Sequence, residues 1–74
     1  MQASTHPDTA LRREFLGIRC RLIELAASFD RIDRAGDLLA DDPQWSQIRH
    51  SLEILAVNAP NRAAQVQMVF SKRD

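Results

Sequence analysis

The sequence predicts an all-α protein: a small antiparallel helical bundle of three helices, the first of them long. Three observations lead there. Leu11, Phe15, Ile18, Leu22, Leu25, Phe29 and Ile32 recur at spacings of 4, 3, 4, 3, 4 and 3, the repeat of a helix with one apolar seam. Helix stop and start signals punctuate the chain at Gly36 and at Asp42-Pro43. No stretch shows the period-2 alternation of a half-buried strand.

The first helix is expected over about residues 8–35. Thr5 and Asp8 are the candidate N-caps, with Pro7 or Thr9 near the first turn, because short oxygen-bearing side chains can accept from the free N–H groups there. Gly36 supplies the left-handed residue that ends the helix. A second apolar series, Leu16, Cys20, Ile23 and Ala27, repeats at 4, 3 and 4. It reads as a stripe beside the first seam and gives the helix more apolar surface than one short partner helix covers.

Residues 37–42 form a connector whose Leu38 and Leu39 are expected to tuck under the helix ends. Asp42 followed by Pro43 combines an N-cap with the residue best suited to the first helical position. The second helix is expected over 43–57, with Trp45, Ile48, Leu52 and Leu55 on its buried face and Ile54 and Val57 widening it. It is expected to run back along the second half of the first helix. Asn58-Ala59-Pro60 breaks it: Asn58 takes the left-handed position, and Pro60 disfavours helical geometry at Ala59. Asn61 then caps a third helix over 61–71, with Ala63, Val66, Val69 and Phe70 inward. The alternative is one helix over 43–71 kinked at Pro60, giving a helical hairpin that dimerises to cover its open face. Residues 1–7 and 72–74 read as polar tails around a single helical domain of 8–71.

Seventy-four residues bury only about 60% of the unfolded chain's surface on folding, which leaves such a domain dependent on a staple or a second subunit. The one cysteine, Cys20, cannot close an internal disulfide. Ten basic residues balance ten acidic ones, and neither side of Gly36 carries the charge excess of a chain that binds nucleic acid or an anionic membrane. No apolar run reaches the roughly 20 residues of a membrane span. A lone thiol and a polar start without a signal-peptide core favour the reducing cytoplasm.

Each chemically suggestive group has a plainer role. Arg12, Arg13, Arg19 and Arg21 are placed on outer positions of the repeat, where they form a basic face for phosphate or, more plainly, a solvated surface. Arg31 is placed beside the seam. Asp30, Asp33 and Asp37 are interleaved with Arg31 and Arg34 and lack the loop of a cation site. His6, His50 and Cys20 do not have zinc-ligand spacing. Cys20 has no base to activate it and reads as a small packing residue. Trp45 reads as core. Helices two and three resemble a helix-turn-helix only in length, since their turn holds Asn-Ala-Pro rather than Gly. Two glycines in the whole chain do not build a phosphate cradle. The expectation is a non-catalytic interaction module without metal, cofactor or small-molecule substrate. It associates with itself, as a dimer, or with another helical protein through Leu16, Cys20, Ile23 and Ala27. The alternative is a small nucleic-acid-binding regulator that uses the arginine face or a degenerate helix-turn-helix.

Overall fold

The computed structural model describes residues 9–71, and all of its regular structure is helical. Three helices follow one another: α1, Ala10–Ala35; α2, Pro43–Ala56; and α3, Arg62–Ser71. The chain forms two compact units, residues 1–37 holding α1 and residues 38–74 holding α2 and α3. The tails expected at 1–7 and 72–74, and the candidate caps Thr5 and Asp8, lie outside the described residues.

In the first unit, α1 starts two residues later than expected, because Thr9 rather than an earlier residue is the N-cap. Its Oγ1 accepts the Arg12 N–H at 3.2 Å, while its extended backbone (φ −69°, ψ 152°) turns the chain into the helix. At the far end Gly36 takes φ 76°, ψ 24° and donates its N–H to the Asp33 carbonyl. That left-handed conformation favours glycine. Between these caps run 26 helical residues, about 39 Å at 1.5 Å per residue.

The second unit opens with a turn closed by the Asp42 N–H on the Leu39 carbonyl at 3.0 Å. Leu39 is half-buried, but Leu38 is 94% exposed, contrary to the expectation that both tuck in. The turn over residues 39–42 includes Leu39 but not Leu38, which precedes it in irregular chain. Asp42 caps α2 as its sequence implies: Oδ1 accepts from Gln44 N at 2.8 Å and from Trp45 N at 3.3 Å, and Pro43 occupies the first turn.

The break between α2 and α3 is clean, so the continuous kinked helix does not form. Its details differ from expectation. The helix ends at Ala56, and Val57, extended at φ −85° and ψ 138°, is the C-cap. The left-handed residue is Asn61, at φ 65°, not Asn58. Asparagine tolerates this region because its short polar side chain limits the steric cost. Asn61 precedes α3 and offers its carbonyl to Gln65 N at 3.0 Å. The first turn of α3 reaches back over the break: Arg62 Nε donates to the Val57 carbonyl at 2.7 Å and Gln65 Nε2 to the Pro60 carbonyl at 3.2 Å. Arg62 is thus a second donor to the Val57 carbonyl, which also accepts the Ala59 N–H at 3.0 Å, and Gln65 satisfies the Pro60 carbonyl that the turn leaves open.

The two helices pack on each other. Gln47 Nε2 on α2 donates across to the Val69 carbonyl on α3 at 3.3 Å. One turn along the same face of α2, Ser51 donates its hydroxyl back to the Gln47 carbonyl at 2.8 Å. Ser51, 8% exposed, is the one described residue that is buried. A small side chain lets two helix backbones approach closely, and the back-bonded hydroxyl leaves no unsatisfied polar group at the contact. The α3-facing side of α2 is therefore set by Gln47 and Ser51. Trp45, Ile48 and Leu52, expected as the buried face, are half-buried, and Leu55 is 52% exposed.

Candidate interaction surface

No apolar side chain among the described residues is buried. Large hydrophobic groups are instead concentrated on the surface of α1. Of the seam, Leu11 is 67% exposed, Phe15 57%, Ile18 41% and Leu22 59%; of the second stripe, Leu16 is 64% and Ile23 55% exposed. Cys20 is exposed as well, and Ala27 is half-buried. Leu25, Phe29 and Ile32, which complete the seam, are half-buried. Six of the eleven large apolar side chains exposed among the described residues thus belong to α1.

The regular turn of α1 fixes where its two apolar series lie. At 3.6 residues per turn the seam spans a narrow arc, and Leu16, Cys20, Ile23 and Ala27 are centred about 150° from it. The second stripe is thus not beside the seam but almost opposite. Identical spacing within two series says nothing about the angle between them; the offset does, and one-residue offsets of the kind that separate Phe15 from Leu16 each turn the helix by about 100°. One partner helix therefore cannot touch both faces.

The charged residues are also redistributed. Spacings of 3 run from a to d and of 4 from d to a, so Leu11, Ile18, Leu25 and Ile32 are d and Phe15, Leu22 and Phe29 are a. Arg12 and Arg19 then fall at e, Arg21 at g and Arg13 at f. Three of the four arginines flank the seam rather than sitting outside it. Arg31 falls at c, away from the seam, where its guanidinium donates to Ser28 Oγ at 2.9 Å. Arg12 and Arg19 lie within about 20° of each other around the axis, whereas Arg13 is about 100° and Arg21 about 180° from Arg12. The four do not make one continuous basic face.

The second unit carries a shallow open groove between its helices, lined by Ser46, Gln47, His50 and Ile54 of α2 and by Gln65, Met68 and Val69 of α3. His50 edges this groove, and His50 and Glu53 also line a depression beside Trp45 and Arg49. Ser46, His50 and Glu53 line the second depression together, but no hydrogen bond among the described residues links Ser46 to His50 or His50 to Glu53, the contacts by which a base activates a hydroxyl and a carboxylate orients the base. No three His, Cys, Asp or Glu side chains are grouped to hold a metal ion among the described residues, and no described helix is long and apolar enough to cross a membrane. Comparison with family models, with curated proteins and with solved structures returns no match, so the assignment of function rests on the surface of α1.

Proposed function

We infer that this protein is a non-catalytic helical interaction module that associates with itself, its apolar α1 faces being covered by another chain. A single observation carries the reading: all the large apolar side chains of the first half of α1, from Leu11 to Ile23, are at least 41% exposed, and no apolar residue among those described is buried. Water-exposed apolar surface favours association by about 25 cal/mol per Å² removed, and a 74-residue chain has little other core to offset the entropy of ordering its helices. The stripe Leu16, Cys20, Ile23 and Ala27 and the longer a/d seam are the two association surfaces. A bundle closed within one chain is the competing way to cover the seam, and it implies a monomer.

Light scattering across a range of protein concentrations tests the reading. A mass that rises with concentration from 8.4 kDa toward twice that value is the expected result. A folded monomer at every concentration overturns it. Repeating the titration at two salt concentrations, with and without a nucleic-acid oligomer, addresses the phosphate-binding alternative. Binding through Arg12, Arg13, Arg19 and Arg21 would weaken steeply with salt, whereas association by apolar burial would not.

A further inference from the structure

We propose that the first half of α1 lies flat on an anionic phospholipid surface, with Leu11, Phe15, Ile18 and Leu22 sunk toward the acyl chains and Arg12, Arg19 and Arg21 on the headgroup phosphates. The inference goes beyond self-association and does not depend on it.

Local charge selects the partner. The chain balances its charges as a whole, but α1 does not balance them along its length. Residues 10–23 hold four arginines against Glu14 alone, a net charge of +3, whereas residues 24–35 hold Glu24, Asp30 and Asp33 against Arg31 and Arg34, a net charge of −1. The basic half is also the open half. Its seam residues Leu11, Phe15, Ile18 and Leu22 are 41–67% exposed, while Leu25, Phe29 and Ile32 of the acidic half are half-buried. Positive charge and uncovered apolar surface thus coincide on about four turns of one helix. A bilayer interface matches both properties, since it offers phosphates at its surface and hydrocarbon beneath. A nucleic acid matches only the charge: its phosphates leave the apolar side chains in water, and Phe15 is the one aromatic in residues 10–23 on which a base could stack.

The angles around the helix fit the same partner. From the centre of the open seam, Arg19 and Arg12 lie about 70° and 90° to one side and Arg21 about 90° to the other. With the seam facing the hydrocarbon, side chains at these angles are level with the headgroups, and an arginine's long apolar stem lets its guanidinium reach out from the edge of a buried face. Leu16 and Cys20, about 130° and 170° from the seam, face away from the lipid and stay open to a second copy.

Folding gives these arginines no role. All three are exposed, and their guanidinium groups make no hydrogen bond or ion pair among the described residues, whereas those of Arg31 and Arg62 bond to Ser28 and to the Val57 carbonyl. Arg12 stands in the first turn of α1, which holds no acidic residue. A cation there opposes the helix dipole. Arginine's planar fork is suited to pairing with phosphate oxygens.

Cosedimentation of the full chain with vesicles at low salt tests the proposal. Binding to vesicles of equal parts phosphatidylcholine and phosphatidylserine is expected, and binding at least about tenfold weaker to phosphatidylcholine alone. Arg12→Gln, Arg19→Gln and Arg21→Gln should each weaken binding to the anionic vesicles about fivefold, and Phe15→Ser and Leu22→Ser about tenfold each. Leu38→Ser, at a side chain 94% exposed but off α1, should leave binding unchanged, as should Arg31→Gln. Circular dichroism of each variant separates lost binding from lost helix. No binding to the anionic vesicles, or equal binding to both kinds, overturns the proposal. Binding weakened by the arginine variants but not by Phe15→Ser or Leu22→Ser also overturns it, because charge alone then holds the chain. A DNA oligomer bound with that same dependence, in the absence of vesicle binding, assigns the arginines to nucleic acid instead. Light scattering without lipid reports self-association separately. A monomer that sediments with the anionic vesicles keeps this inference and removes that reading, and a dimer that stays in the supernatant does the reverse.

Discussion

Replacing Leu22 by aspartate perturbs the middle of the seam at a residue whose side chain is 59% exposed. Fully burying a leucine is worth about 1.5–3 kcal/mol. Covering the exposed three-fifths therefore contributes about 1.5 kcal/mol per copy, and a symmetric dimer loses that twice. About 3 kcal/mol corresponds to more than a hundredfold in Kd, before any cost of taking two carboxylates out of water. The substitution costs α1 at most about 0.7 kcal/mol in intrinsic helix propensity, so the helix itself should survive. Glu24→Asp carries a comparable propensity cost at a position off both apolar faces and serves as the control. Sedimentation equilibrium should show Leu22→Asp as a helical monomer of 8.4 kDa and Glu24→Asp with wild-type association. An unchanged mass for Leu22→Asp would refute the reasoning about the seam. If Leu16→Asp or Ile23→Asp then dissociated the protein, association would run through the second stripe on the opposite side of α1.

Three further expectations concern the helices themselves. Asp42→Ala removes the acceptor of two backbone N–H groups at the start of α2 and should cost about 1 kcal/mol, read as lowered urea resistance and faster hydrogen exchange in the first turn of α2. Ser51→Leu forces a large side chain into the one buried position, where Ser51 is 8% exposed; overpacking of about 1–3 kcal/mol should separate α2 from α3 and abolish protection of the Val69 region in exchange experiments. Gly17→Ala should stabilise α1 by about 0.5–1 kcal/mol, because an added Cβ would meet only the mobile end of Arg21 at 3.5 Å; a rise in helicity by circular dichroism checks it.

The parts of the fold that were readable in the sequence are those fixed by one residue's own chemistry. Gly36 ends α1 because only a residue without a Cβ enters the left-handed region freely, and Asp42-Pro43 starts α2 because the two residues serve adjacent needs of one helix end. The parts that were not readable depend on competition or on angle. Thr9 is the N-cap of α1, and composition alone does not choose among several oxygen-bearing side chains near a helix start. Asn61 rather than Asn58 is left-handed; the two flank one turn, and residue type alone does not choose between them. The burial of Ser51 is not legible in apolar periodicity because the residue is small and polar, although it stands one turn from Gln47 on α2. The apolar content of α1 was legible residue by residue. The opposition of its two faces was not, because spacing reports repeat length and angle must be counted separately.

The break between α2 and α3 bears on the order in which the second unit forms. The carbonyls of Val57 and Pro60 accept bonds from side chains of the following helix, Arg62 and Gln65, each five residues downstream. Within the break the Ala59 N–H also donates to the Val57 carbonyl at 3.0 Å, so a backbone turn and side chains from the following helix hold the corner together. Contacts this close in sequence form by closing loops of a few residues, a step of tens of nanoseconds in flexible chains, whereas the Gln47–Val69 link spans 22 residues. The nascent chain can therefore lock its corner as soon as the first turn of α3 has been made, and the pairing of the two helices follows from a corner already in place.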